Sequence, residues 1–137
     1  MSKHEFADLD REAYVSLATF RRDGRAVSTP VWFARRGDRL YVFTERAAGK
    51  VKRLRNGPRA RVAACNVRGR VHGEWIDARG RVVGDPGTER TAYAALHAKY
   101  GWKMRVVDFF SGITGRIAER AILELEPSAD RPGAAQA

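Results

Sequence analysis

Short runs of alternating apolar and polar residues dominate the chain, and tight-turn signals separate them. Tyr14 to Phe20 is rich in β-branched and aromatic residues and predicts a strand. Asp23-Gly24 then marks a hairpin, because glycine there tolerates the positive φ of a tight turn. From Val27 to Phe33 the alternation is clear: Val27, Thr29, Val31 and Phe33 face one way, Ser28, Pro30 and Trp32 the other. Pro30 has no N–H to give a ladder, which predicts an edge or a bulge at that point. Arg36-Gly37-Asp38 is a second turn, and Leu40 to Thr44 a third strand.

The period then changes. Gly49 to Arg55 predicts a short helix with Val51 and Leu54 inward, ended by Asn56-Gly57-Pro58. Arg61 to Cys65 returns to strand, Arg68-Gly69 turns, and Val71 to Val83 reads as a long strand or as one with a bulge near Gly80. Asp85 and Pro86 carry the N-cap and first-turn signature of a helix with Tyr93, Leu96 and Tyr100 on one face. Phe6 and Leu9 suggest a short helical turn near the start, residues 101 to 113 are mixed, and Arg116 to Glu126 is a last strand. About six antiparallel strands in a small chain are expected to close into a barrel, which removes their edges. The expectation is therefore a mainly β single domain over residues 1–126, followed by a disordered tail over 127–137.

A chain of 137 residues can bury a core without disulfide or metal help. Cys65 is the only cysteine, so no internal disulfide forms; with no apolar run long enough to span a bilayer and a polar start, a cytoplasmic setting is expected. The net charge of +10 invites an anionic partner: nucleic acid, an acidic surface or a charged small ligand. Arginine far outnumbers lysine, a bias that a GC-rich genome also produces.

Familiar catalytic patterns are missing. His4, His72 and His97 stand without a cysteine or carboxylate cluster at metal spacing, and neither a G-x-S-x-G elbow nor a P-loop occurs. His72 and Glu74 form an H-x-E, but no P-C-x-x-C follows it. The candidate chemistry is instead an anion site. Thr44 ends a strand that leads through a short loop into the helix carrying Lys50, Val51, Lys52 and Arg53, and Lys50 and Arg53 share one face. The same pattern also reads as the solvated basic face of an amphipathic helix. The proline-broken run Ser28-Thr29-Pro30-Val31-Trp32 leaves backbone groups free to meet the edge of a flat heterocycle, or is a core strand with an edge bulge. Tyr100, Trp102, Phe109 and Phe110 are available to stack on a ring, a dimer partner or the core.

Three segments in order, YVSLATFRRDGRAVSTPVWF, LYVFTERAAGKVKRLRNGPRARVA and HGEWIDARGRVV, resemble the pyridoxamine-phosphate-oxidase-like FMN-binding split barrels, within them the F420-dependent class. The resemblance implies a six-stranded antiparallel split β-barrel of Greek-key type with two to four short flanking helices, assembled as a homodimer with cofactor sites at the interface. It implies an oxidoreductase that moves a hydride between coenzyme F420 and a small organic acceptor, with no protein acid or base required. It implies that Lys50 contacts the cofactor phosphate, that Thr44 and Arg53 lie nearby, and that Ser28 to Trp32 lie along the ring. Trp75 and Trp102, with Lys103, are candidates to complete the pocket. A +10 surface would also attract the acidic tail of F420.

Two departures qualify the resemblance. The chain ends in ILELEP and a short tail, without the arginine motif that binds substrate phosphate in the pyridoxamine phosphate oxidases proper, so vitamin B6 oxidation is not carried over. Ala47-Ala48-Gly49 stands where relatives in the F420 class place a basic residue, so that duty falls to Lys52, Arg53 or Arg46. An FMN-binding flavoprotein is the alternative within the fold. A basic barrel that binds nucleic acid is the alternative outside it, and a cofactor carrier without turnover a third.

Overall fold

The computed structural model describes residues 5–101 and 120–128. A single 3-10 turn over Phe6–Leu9 opens the chain and buries both of those residues. Six strands follow: β1 (Tyr14–Phe20), β2 (Ala26–Arg36), β3 (Arg39–Glu45), β4 (Arg59–Cys65), β5 (Ile76–Val82) and β6 (Arg120–Pro127). Helix α1 (Gly49–Asn56) joins β3 to β4, and α2 (Pro86–Tyr100) lies between β5 and β6.

All six strand pairings are antiparallel, and the sheet closes in the order β1-β2-β3-β6-β5-β4. The hairpins β1–β2–β3 come first, and β4 then returns through α1 to lie beside β1, which is a Greek key. The fold expected from the sequence is thus the fold observed.

Alternation places every second residue inside. Val15 and Leu17 of β1, Val31 and Phe33 of β2, Leu40 and Val42 of β3, and Leu123 and Leu125 of β6 form the inner core. Val51 and Leu54 of α1 join the same cluster, so α1 packs into the barrel rather than riding on its surface. A second core lies outside the wall, where Ala92, Leu96 and Tyr100 of α2 cover Ala34, Tyr41 and Ile122. Asp85 caps α2 by accepting a hydrogen bond from Thr88 N at 2.9 Å, as its sequence signature predicts.

Two details explain how the barrel opens. β2 pairs with β1 over Ala26–Val31 and with β3 only from Trp32 onward. Extending that register would set Thr44 opposite Val31 and Glu45 opposite Pro30, and no ladder forms there. Pro30 therefore sits on a local edge, and the sheet splits beside it.

The second detail corrects the sequence reading of β5. Cys65 bridges Val71, whereas Val62 pairs with Ile76, so residues 63–64 face residues 72–75. The interruption lies at Gly73 to Trp75, and the strand begins at Ile76, not Val71. Gly80 carries no bulge; it keeps regular pairs with Leu125 and its neighbours. Its lack of a side chain serves packing instead, since a Cβ there would lie 2.6 Å from Leu125 Cδ2 and 3.1 Å from Leu54 Cδ1.

Candidate functional site: a cationic barrel mouth

Three threonines occupy inward positions that apolar residues fill elsewhere in the same strands. They are Thr19 on β1, Thr29 on β2 and Thr44 on β3. All three lie toward the end of the barrel where the sheet splits and α1 enters. Hydroxyls in a core need partners, since burying one without a partner costs about 1–3 kcal/mol.

Helix α1 supplies two partners. Lys50 donates from Nζ to Thr44 Oγ1 at 3.3 Å, and Arg53 donates from Nε to Thr19 Oγ1 at 2.6 Å. The two cations share a helical face, as their spacing requires. Gly49 makes room for this, because a Cβ there would meet an Arg53 guanidinium nitrogen at 2.8 Å. Thr29 Oγ1 is buried and has no hydrogen-bond partner among the described residues.

The mouth is electrostatically unbalanced. Burial lowers the Lys50 pKa from its ordinary value, and the neighbouring Arg53 charge lowers it further, while Glu45 acts in the opposite sense. Burial also lowers the Arg53 pKa, with the Arg21 charge adding to it. The N-cap Ala48 offers no side-chain hydrogen bond, and no acidic residue stands in the first turn of α1. The positive end of the helix therefore adds to the side-chain charge. An anion placed here would satisfy free backbone donors and offset the mutual repulsion of Lys50 and Arg53.

The residues proposed from the sequence fall into three groups. Thr44, Lys50 and Arg53 meet at the mouth, with Thr29 and Val31 in the inward row of β2. Val51 is fully buried, so only its backbone can reach a ligand there, and Lys52 is exposed. Arg46 is turned away, donating to the Arg120 carbonyl at 3.2 Å. Of the three basic residues considered as substitutes for the missing one, Arg53 is the one held at the mouth.

Ser28, Pro30 and Trp32 form the second group, on the outer face of β2. Ser28 and Pro30 are exposed, while Trp32 stacks on Tyr100 of α2 with ring centroids 4.5 Å apart. Tyr100 fixes that end of the shelf: its hydroxyl donates to the Ala13 carbonyl at 2.8 Å and accepts from Phe33 N at 3.0 Å. Trp75 stands apart from both groups, in the β5 interruption, with the Arg61 guanidinium 5.3 Å from its ring. Trp102 and Lys103 lie outside the described residues.

Thr19, Arg21 and Gly49 were absent from the sequence candidates. The signal for Thr19 was present: a polar residue at the inward position of the series Val15, Leu17, Thr19.

The pattern of the pyridoxamine 5'-phosphate oxidase family matches residues 2–129, and the chain belongs to that family. Solved structures share the fold. One is an F420 reductase, 20% identical, with a TM-score of 0.58 over 94% of this chain and 97% of that one. A second is the heme storage protein HutZ from Vibrio cholerae, 15% identical, with a TM-score of 0.66 over 89% of this chain and 87% of that one. A third is a FAD-binding protein from Mesorhizobium loti, 18% identical, with a TM-score of 0.57 over 88% of this chain and 82% of that one. No curated protein matches the sequence.

Proposed function

We propose that the protein binds coenzyme F420 through its phosphate at the barrel mouth and works as an F420-dependent reductase on a small organic acceptor. The observation that carries this reading is the pairing of Lys50 with Thr44 and of Arg53 with Thr19. One helical turn thereby presents two cations at an opening lined by hydroxyls. Such an arrangement suits a phosphate, which accepts several charge-assisted hydrogen bonds at once. Family membership supports a flavin-type cofactor, and the likeness to an F420 reductase favours the deazaflavin among them.

When bound, the deazaflavin supplies the hydride chemistry. The chain's own residues bind and orient. Lys50 and Arg53 hold the phosphate, and Thr19 and Thr44 hold those two side chains at their working angles. The exposed outer edge of β2 at Ser28 and Pro30, stiffened by the Trp32–Tyr100 stack, gives a flat surface for the ring. A second copy of the chain, expected from the family resemblance, would close the open side of that surface and exclude water.

The test is a fluorescence titration of ligand-free protein with F420 and, separately, FMN at moderate salt. The proposal predicts micromolar or tighter F420 binding and weaker FMN binding. FMN preference would transfer the same site to a flavoprotein reading, and binding of neither would remove the cofactor reading. Tight F420 binding without reduction of any acceptor across a broad panel would leave a carrier rather than a reductase.

A further inference from the structure

The outer face of β4 and β5 carries an arrangement that the barrel mouth does not explain. Arg59 and Arg79 are direct cross-strand partners. Like charges directly opposite each other destabilise a sheet. Neither makes an ion pair among the described residues: Glu126, opposite Arg79 on β6, is turned instead to Arg39 at 3.2 Å. The two arginines line an open groove of about 500 Å³ with Arg61, Asp77 and Ser128. That volume is within the range of small-ligand sites, about 300–1,000 Å³.

The groove is also partly preorganised. The Arg59 guanidinium carbon sits 3.9 Å from the centroid of the Phe20 ring, a cation–π contact that restrains it. Arg61 is 3.1 Å from Asp77 Oδ1, but its buried Nε makes no hydrogen bond. Asp77 thus pairs with one of three arginines, and Arg79 has only Glu126, shared with Arg39, opposite it; Arg59 makes no ion pair among the described residues.

We propose that this groove binds the phosphate monoester of a small ligand, gripped between Arg59 and Arg79. Both arginines line the groove, and a guanidinium fork suits bidentate contact with an oxyanion. A monoester carries about −1.5 to −2 at neutral pH and so balances both charges, whereas a carboxylate or a phosphodiester carries one negative charge and leaves one uncompensated. The groove is separate from the barrel mouth. Thr19 and Ala60 face inward while Phe20 and Arg59 face outward, so the groove lies across the wall from the phosphate grip, and on the outer face β1 stands between it and the ring surface at Ser28.

The test uses phenyl phosphate as probe, with amide chemical shifts and calorimetry at low salt on wild type, Arg79→Glu, Arg59→Ala and Lys50→Met. The proposal predicts shifts centred on Arg59, Ala60, Ala78 and Arg79. It predicts at least a tenfold loss of affinity read at those positions in Arg79→Glu and in Arg59→Ala, and less than a twofold change read at them in Lys50→Met, whose lost charge acts only on shifts at residues 44–53. Arg79→Glu exchanges repulsion from Arg59 for repulsion from Glu126, its partner on β6, so the melting temperature of the free protein should change little. Phenyl phosphate should raise the melting temperature of wild type and not of that variant. Wild-type affinity in both arginine variants would overturn the proposal, as would loss of binding in Lys50→Met alone, which would assign the anion to the barrel mouth. Binding of a single-stranded oligonucleotide in place of phenyl phosphate would overturn it in favour of a phosphodiester surface.

Discussion

Replacing Lys50 by methionine separates a functional charge from a structural one, because the two roles predict different losses. In the free protein Lys50 is a partly buried cation whose charged form is disfavoured by burial and by Arg53. Methionine keeps the stem and removes the charge. The loss is one long hydrogen bond, 3.3 Å to Thr44, and it leaves the buried Thr44 hydroxyl without that partner, a cost of about 1–3 kcal/mol. The gain is relief of a like-charge helical pair, about 0.2–0.5 kcal/mol, together with recovery of desolvation. Stability of Lys50→Met should therefore fall by no more than about 2 kcal/mol. Cofactor affinity should fall by roughly 1.5–3 kcal/mol, the range for a hydrogen bond to a charged group, which is about ten- to a hundredfold in Kd. Urea unfolding of the free protein and fluorescence titration with F420 read the two quantities separately. A loss of stability above roughly 2 kcal/mol, which is large for a single substitution, would make Lys50 a structural residue. Unchanged affinity with unchanged stability would show that the phosphate binds elsewhere.

Three further outcomes follow from the packing and the charges. Tyr100→Phe preserves the stack on Trp32 but strands the buried Phe33 N–H and its neighbouring carbonyls; a loss of about 2–4 kcal/mol in urea unfolding is expected, and a loss below roughly 0.5 kcal/mol would mean those groups find other partners. Gly80→Ala places a methyl against Leu125 and Leu54 and should cost about 1–3 kcal/mol by overpacking. Because Leu54 belongs to α1, it should also weaken F420 binding, and a variant with wild-type stability would contradict the close approach. Lys99 lies over the Phe33 ring at 3.3 Å, and burial lowers its pKa to about 8 against the attraction of Asp10 and Glu12. A lysine depressed in the folded state releases its proton before the unfolded chain does, so stability should rise as pH climbs from about 8 toward the ordinary lysine value. Lys99→Met should abolish that rise of roughly 1–3 kcal/mol, and identical pH profiles for the two proteins would refute it.

Strand alternation and turn residues made the architecture legible, because a period of two with Asp-Gly and Arg-Gly-Asp punctuation leaves little choice for Tyr14 to Glu45. The local edge at Pro30 was equally legible, since proline removes a donor wherever it falls. The interruption of β5 was not. Gly73 and Gly80 look alike in sequence, and only the approach of Leu125 and Leu54 from elements distant in the chain tells a packing glycine from one beside a break. The site was half legible. Lys50 and Arg53 announce themselves by helical spacing, but which face of a basic helix is used depends on Thr19, thirty-odd positions earlier. Its role appears only when β1 and α1 are brought together. Trp32 and Trp75 looked alike as ring contacts; the fold gives one a stacking partner in Tyr100 and the other a place beside Arg61.

The central claim, that a cofactor phosphate is held at the barrel mouth, is tested most directly by mapping F420 on isotope-labelled protein through backbone amide shifts. The account predicts that the largest saturable shifts fall on Thr44, Gly49, Lys50, Val51 and Arg53, with smaller ones along Ser28 to Trp32. Saturable shifts confined to other parts of the barrel, with residues 44–53 unmoved, would contradict it.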